Sequence, residues 1–308
     1  MSLVVCVHGI AQQSKGEEIL ASEWLPALRD GLRRVGPDGH AVLARLDERG
    51  ASSGVAMAFY GDLYRPPGWR LGPDDELVTA ADAADFDAEL LLAWWQAAAE
   101  RDPGVVAPDA RTLVRAPRSA QAALRALSGS RFFAGVADRM LLSDAVQVRR
   151  YFTEPDLRAA IQARLEAAVS DQTRVIVAHS LGSVVAYEAL SAHPEWPVRS
   201  LITLGSPLGI RNLIFDRLTP APEPFPQPGT APGRWPQGAR SWVNVVDVGD
   251  VVALVKDLRP LFGARVEGYV VDNGARAHKI SPYLSAVETG TALASALVDA
   301  PPSGPAGG

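Results

Sequence analysis

Short apolar segments alternate with amphipathic segments along much of the chain. Apolar runs of strand length occur at residues 3–7, 41–46, 55–60, 174–178, 201–204, 242–246 and 266–271. Apolar positions at helical spacing occupy residues 17–35, 155–170, 181–192 and 282–297. Strands interleaved with helices predict an α/β protein built on a doubly wound, mostly parallel sheet.

The middle of the chain has a different pattern. An alanine-rich stretch from Arg65 to Arg150 has helical spacing at 83–101, 120–127 and 131–142, and no strand-like run. We interpret it as a helical insertion, or cap, over the sheet. The predicted organisation is therefore a core of residues 1–64 and 151–299, a cap of residues 65–150 and a disordered tail of residues 300–308. A long loop is predicted at 219–238, which contains seven prolines.

Charge and composition exclude several classes of function. The chain has 30 basic and 35 acidic residues, a net charge of −5, so no basic surface for nucleic acid is expected. The single cysteine, Cys6, excludes an internal disulfide and a cysteine-based zinc site. No apolar run approaches the roughly 18 residues that span a membrane, and no positively charged leader precedes the first strand. We expect a cytoplasmic protein without a transmembrane segment.

Two serines lie in motifs typical of a nucleophile. The full Gly-x-Ser-x-Gly match, Gly50–Gly54, follows charged residues and precedes a strand, so a turn is predicted there. The sequence Ala178-His-Ser180-Leu-Gly182 instead joins a buried strand directly to a helix. That strand–turn–helix context exposes a serine hydroxyl at a helix N-terminus. Ser180 is the predicted nucleophile, and the alternative is an ordinary turn with a serine N-cap.

These motifs resemble the α/β-hydrolase superfamily, especially its lipase- and esterase-like serine hydrolases. The serine turn at 175–182 resembles that family's nucleophile elbow, with Ala178 in place of the first glycine. The turn Val7-His8-Gly9-Ile10 resembles the family's His-Gly turn after an early strand. The resemblance covers about 1–60 and 150–298, and it implies the chain order serine, acid, histidine.

That order selects the remaining members of a catalytic triad. Of the histidines after Ser180, His193 would lie about 18 Å along the helix and is expected to cap it. His278, in a loop before the last helix, occupies the position that the resemblance implies for the base. The acid is predicted from the turn after the strand at 242–246, with Asp250 preferred and Asp247 as the alternative.

The resemblance also indicates which groups would stabilise an oxyanion. One donor is the N–H of Leu181, and the second is the N–H of Gly9 or Ile10. His8 would flank this site through a structural hydrogen bond and contribute to the pocket. Ser206 and Leu208 either line the substrate pocket or only form a turn. Aromatic residues of the cap, Trp69 and Trp94 among them, either face that pocket or form the cap's own core.

The leading hypothesis is a serine hydrolase that cleaves a carboxylic ester through an acyl-enzyme on Ser180. A small-molecule ester or acyl substrate with an apolar part is expected, and no metal or cofactor is needed. One alternative is a thioesterase or acyltransferase of a biosynthetic pathway. Another is a non-catalytic binding protein on a hydrolase scaffold, because fold does not determine function. No feature of the sequence predicts the oligomeric state.

Overall fold

A computed structural model describes residues 2–48, 54–65, 68, 83–108, 116–132, 138–227 and 229–298. Within these ranges the strands form one sheet, and every neighbouring pair is parallel. The strands are β1 (Val4–Val7), β2 (Val55–Ala58), β3 (Val175–His179), β4 (Ser200–Leu204), β5 (Ser241–Asp247) and β6 (Val266–Val271). Their order across the sheet is β2-β1-β3-β4-β5-β6. The predicted α/β class with a parallel sheet is confirmed.

Helices cover the sheet, and four of those in the described residues lie between β2 and β3 in the chain. They are α1 (Glu17–Arg33), α2 (Pro37–Asp47), α3 (Asp85–Arg101), α4 (Ala116–Ser128), α5 (Asp138–Thr153), α6 (Pro155–Ala168), α7 (Leu181–Ala192), α8 (Arg259–Phe262), α9 (Ile280–Ser285) and α10 (Val287–Val298). No helix among the described residues is both long and apolar enough to cross a lipid bilayer.

Each face of the sheet packs against its own layer of helices. Successive strand residues point to opposite faces, so β1 sends Val5 and Val7 to one core and Val4 and Cys6 to the other. The first core contains the buried side chains of α3 to α7. The second contains those of α1, α2 and α10. Burial on both faces explains why β3 is an uninterrupted apolar run rather than an alternating one.

The strand predicted at 41–46 is wrong. These residues belong to α2, which begins at Pro37 after Gly36 with φ of 81°. Proline suits the first turn of a helix because its missing N–H would have no intrahelical partner there. Val42, Leu43 and Leu46 then fall on one buried face at helical spacing. Gly36-Pro37 therefore separates two helices instead of a helix and a strand.

The other predicted elements differ from the structure mainly at their ends. The helix predicted at 282–297 is broken at Ala286, which separates α9 from α10. The helix predicted at 131–142 begins later, at Asp138, and continues to Thr153. Between Arg65 and Arg150 the described residues form helices and no strand. Trp69 and the predicted tail lie outside the described residues.

Candidate active site

The predicted site residues meet at the carboxyl edge of the sheet. His8 follows β1, Ser180 follows β3, and Asp250 lies three residues beyond the end of β5. His278 lies between β6 and α9. Because the strands are parallel, their carboxyl ends share one edge, where ligands of open α/β sheets bind. Residues separated by up to 270 positions are thereby brought into contact.

Ser180 has a strained backbone in a sharp turn between β3 and α7. Its φ of 52° and ψ of −129° are unusual for a residue with a side chain, and such strain concentrates at functional sites. Its N–H donates to the carbonyl of Leu204, 3.0 Å away. A Cβ at Gly182 would lie 2.4 Å from the carbonyl oxygens of Val7 and His8. Gly182, two positions after the serine, therefore has no room for a side chain, because the chain at the end of β1 passes directly beside the turn.

Three side chains form a continuous chain of hydrogen bonds. The Ser180 Oγ lies 3.1 Å from Nε2 of His278, and Nδ1 of His278 lies 2.8 Å from Oδ2 of Asp250. A carboxylate only accepts, so Nδ1 carries the proton and Nε2 presents its lone pair to the serine hydroxyl. Sequence reasoning selected these three residues, and the structure brings them together in that order. This arrangement can remove a proton from Ser180 as it attacks an electrophile.

Asp250 is buried and held on both carboxylate oxygens. Its Oδ1 accepts from the backbone N–H groups of Val252 and Ala253, at 2.9 and 3.1 Å. Its Oδ2 accepts from the Tyr283 hydroxyl at 2.7 Å as well as from His278. Burial acts to raise the pKa of Asp250, but the charge and hydrogen bonds of His278 and Tyr283 outweigh it and hold the pKa below its ordinary value. Asp250 therefore stays ionised beside the imidazole.

Asp247, the alternative acid, has a different role. Its Oδ1 accepts from the Gly249 N–H at 2.6 Å, and its Oδ2 accepts from the Asn273 N–H. Its own N–H donates to the Tyr283 hydroxyl at 2.7 Å. These bonds join the turn after β5, which carries Asp247 and Asp250, to the loop that carries His278. The structure thus assigns the contact with His278 to Asp250 and leaves Asp247 as a loop-orienting residue.

The expected oxyanion donors lie around Ser180. Leu181 is the first residue of α7, where backbone N–H groups lack intrahelical acceptors. Gly9 is so close to the nucleophile that a Cβ there would lie 2.7 Å from the Ser180 Cβ. Gly9 and Ile10 both line the cavity at the nucleophile. The N–H of the next residue, Ala11, donates to Oε1 of Gln147 on α5, 3.2 Å away, which braces this loop.

His8 is a structural residue that directly precedes Gly9 and Ile10, the expected oxyanion donors. Its Nδ1 donates to the carbonyl of Gly9 at 2.6 Å, and its Nε2 accepts from the N–H of Tyr60 at 3.0 Å. The Tyr60 ring stacks on the imidazole with centroids 4.0 Å apart. Burial lowers the pKa of His8 to about 4, so it is neutral at physiological pH. The predicted structural hydrogen bond is present, and His8 also lines the cavity.

Ser206 and Leu208 are buried beneath the site instead of lining the cavity. The Ser206 hydroxyl accepts from the N–H of Leu208 at 3.3 Å, which closes a local turn after β4. The pocket role considered for them is not supported by this placement. His193 caps α7 and pairs with Glu195, 2.9 Å away, as expected for a residue at the far end of that helix.

A cavity of about 460 Å³ lies beside Ser180. Its lining includes Ser180 and His278, and α3 and α5 contribute Trp94 and Asp144. Trp94 is only 2% exposed, so it belongs both to the core of this helical segment and to the cavity wall. Within the described ranges, no three His, Cys, Asp or Glu side chains are grouped closely enough to hold a metal ion.

Sequence reasoning did not identify several residues of the site. Tyr283 bonds Asp250, and Lys256 donates to the Asp250 carbonyl at 2.5 Å. The His179 imidazole makes no hydrogen bond to the Ser180 hydroxyl among the described residues. Instead, its Nε2 donates to the carbonyl of His278 at 3.0 Å and holds the loop that carries His278. Gly205, with φ of 54°, leaves room for the Asp250 carboxylate. Tyr283 and His179 lie near predicted residues in sequence, whereas nothing in the sequence distinguishes Gly205 from other turn glycines.

Comparisons with known proteins add no independent assignment. No protein-family model matches the chain, and no curated protein or solved structure matches it either.

Proposed function

We propose that this protein is a serine hydrolase of the α/β-hydrolase type that cleaves carboxylic esters through an acyl-enzyme on Ser180. The observation that carries the proposal is the hydrogen-bonded chain Ser180–His278–Asp250, with the serine on a strained turn at a helix N-terminus. An ordinary N-cap serine satisfies a helix N–H. Ser180 makes no side-chain cap bond, and its hydroxyl contacts the imidazole instead.

In the proposed mechanism, Ser180 Oγ attacks the ester carbonyl while Nε2 of His278 takes the hydroxyl proton. Asp250 keeps the proton of His278 on Nδ1 and stabilises the imidazolium that forms. The N–H of Leu181 and that of Gly9 or Ile10 stabilise the oxyanion, each donor contributing about 3–4 kcal/mol. His278 then protonates the leaving alcohol. Water, activated by the same imidazole, releases the acid from Ser180.

The finer description of the fold belongs to the same proposal. Residues 1–64 and 151–299 form the hydrolase core, and residues 65–150 form a cap over the carboxyl edge of the sheet. Two contributions from the helical segment support this division, because Trp94 of α3 and Asp144 of α5 line the cavity above Ser180. A segment inserted between β2 and β3 thus forms part of the wall of the cavity that Ser180 and His278 line.

The test is covalent labelling with a fluorophosphonate, followed by intact-protein mass and turnover of p-nitrophenyl esters. We expect one adduct on the wild-type chain, none on Ser180→Ala, and a loss of turnover in that variant of at least about 10⁴-fold. Ser52→Ala is the matched control, because it removes the serine of the full Gly-x-Ser-x-Gly motif, and it should label normally. An unlabelled wild-type chain, or a Ser180→Ala chain that still turns over ester, contradicts the proposal.

Thioester hydrolysis and acyl transfer would use the same residues. Thioester hydrolysis is recognised by comparing kcat/KM for the best oxygen ester with kcat/KM for the matching thioester. Acyl transfer is recognised by adding an acceptor alcohol and identifying the product.

A further inference from the structure

The charged residues that line the cavity differ in whether the protein neutralises them. The Lys15 ammonium lies 2.8 and 2.5 Å from the two carboxylate oxygens of Glu23, so this pair cancels its own charge. Lys279 is exposed at the rim, where water solvates it. Asp144, on α5, is more shielded from solvent and faces the same space as Ser180.

Asp144 makes no hydrogen bond and no ion pair with any residue in the described part of the chain. Burial raises its pKa to about 7, and the field of a protonated His278 acts in the opposite direction. Asp144 is half-buried, so water reaches its carboxylate, but a molecule that fills the cavity would displace that water and would have to supply a donor in its place. Since the carboxylate opens into the cavity, a bound molecule is in position to supply the missing donor.

Two indole side chains accompany Asp144. Trp24 from α1 and Trp94 from α3 both line the cavity, and each is only 2% exposed. Tryptophan is the side chain whose ring attracts cations most strongly. A carboxylate without a counter-ion, combined with indole rings, is chemistry that suits an ammonium group. A neutral hydroxyl would hydrogen-bond Asp144 but would leave its charge uncompensated.

We propose that Asp144 binds a protonated amine on the acyl part of the substrate, so that the protein acts on amino-acyl esters. The inference rests on the proposed function, because it places the amine in the same cavity as Ser180 and His278. It also narrows the substrate class, since an acyl chain that is apolar throughout would leave Asp144 without a partner. The amine would fix the position of the acyl chain while Ser180 attacks its carbonyl.

Matched pairs of p-nitrophenyl esters test the proposal. The esters of β-alanine, 6-aminohexanoate and 8-aminooctanoate are compared with those of butanoate, heptanoate and nonanoate, in which a methyl group replaces the ammonium. We expect the wild-type chain to prefer the amine in at least one pair, and Asp144→Asn to lower kcat/KM for that amino ester by about 10- to 100-fold. The methyl partner should be unaffected or faster. Asp171→Asn, which removes one exposed negative charge elsewhere, should retain the wild-type preference.

Two results overturn the role of Asp144 while leaving ester hydrolysis intact. One is a wild-type preference for the methyl ester in every pair. The other is an equal loss for both members of a pair in Asp144→Asn. Because Asp144 has no partner to abandon, the variant is expected to fold, and its melting temperature checks this. Should it not fold, inhibition of wild-type turnover by hexylamine but not by hexanol supports the proposal, and equal inhibition overturns it.

A failure of the proposed function is recognised separately. If the wild-type chain neither labels nor turns over ester, hexylamine and hexanol are titrated against the full chain, with tryptophan fluorescence as the readout. Binding of the amine that is lost in Asp144→Asn then supports a cation site without hydrolysis. Equal binding of amine and alcohol, or binding that persists in the variant, overturns the site as well.

Discussion

Two carboxyl groups near Ser180 are held in opposite ways. Asp250, at the edge of the sheet, accepts hydrogen bonds from His278, from Tyr283 and from two backbone N–H groups, and its pKa lies below its ordinary value. Asp144, on α5, has no partner among the residues the structure describes, and burial raises its pKa to about 7. The scaffold thus fixes the carboxylate that stays charged in the proposed mechanism. The other carboxylate is left to interact with whatever enters the cavity.

The largest effect that we expect comes from Asp250→Asn. The amide that replaces the carboxylate has only one accepting oxygen, so it cannot accept both from Nδ1–H of His278 and from the backbone N–H groups. The proton is then no longer fixed on Nδ1, and kcat should fall by about 10⁴-fold. Steady-state kinetics with a p-nitrophenyl ester measures this. Asp272→Asn is the control, because Asp272 lies in the His278 loop and, among the described residues, its side chain bonds only the Gly274 N–H, at 2.9 Å. A loss below tenfold in Asp250→Asn would mean that the sheet-edge carboxylate is not the catalytic acid.

Gly205→Ala should have the next largest effect. A Cβ at this position would lie 2.9 Å from Oδ2 of Asp250 and 3.3 Å from Nδ1 of His278. The added methyl group would push this pair apart, and we expect kcat/KM to fall by about 10²-fold.

Gly229→Ala separates that steric effect from backbone strain. Gly229 also has positive φ, 85°, but a Cβ there meets nothing within 4 Å. It should lose only the roughly 1–2 kcal/mol of stability that the left-handed conformation costs, with activity retained. Equal activity losses in the two alanine variants would argue against tight packing around the Asp250–His278 pair.

A smaller effect is expected for Tyr283→Phe. The change removes one of the hydrogen bonds that lower the pKa of Asp250, so that pKa should rise. We expect kcat/KM to fall by about tenfold. Asp250 must be ionised in the proposed mechanism, so kcat/KM should decline as the pH falls through the pKa of Asp250. Because that pKa is higher in the variant, the decline should begin at a higher pH. The pH profile of Tyr269→Phe, at an exposed position, should match the wild type.

The smallest effect concerns stability and Asp144. Its raised pKa makes the folded chain bind a proton more tightly than the unfolded chain, so stability falls as pH rises from about 4 to about 7. Asp144→Asn removes this loss. Its free energy of unfolding should match the wild type near pH 4 and exceed it above pH 7. The full shift would be worth roughly 4 kcal/mol, and solvent screening of this half-buried side chain reduces the expected difference to about 1–2 kcal/mol. His278 faces Asp144 and interacts with it electrostatically, so urea unfolding across this range measures the titration of Asp144 together with its coupling to His278. A difference that does not vary with pH would contradict the assignment.

The same contrast explains how much could be predicted from the sequence. Ser180 and Asp250 follow strands whose apolar runs are easily recognised, and a parallel sheet gathers strand ends at one edge. The strand predicted at 41–46 was wrong because a short apolar run fits the spacing of a helix as well as that of a strand. Pro37 at the first helical position is the feature that indicates a helix there. Most of the candidate site residues that could be predicted therefore lie just after the ends of strands.

Asp144 could not be predicted for a physical reason. It lies within an amphipathic helix, where a polar residue is expected on the solvent side, and its orientation depends on how α5 packs against α3 and α6. The same holds for Gln147, whose bond to Ala11 joins residues 136 positions apart. Contacts between a helix surface and a distant loop leave no periodic signal, so tertiary structure is needed to find them.

Gln147 and Asp144 lie three residues apart on α5, on neighbouring positions of one helix face. One braces the loop that holds Gly9 and Ile10, and the other contacts the cavity. A shift of α5 must therefore displace both at once. In the proposed mechanism, binding of the substrate amine by Asp144 and stabilisation of the oxyanion by Gly9 or Ile10 both depend on the position of α5, so substitutions that move this helix should change KM and kcat together.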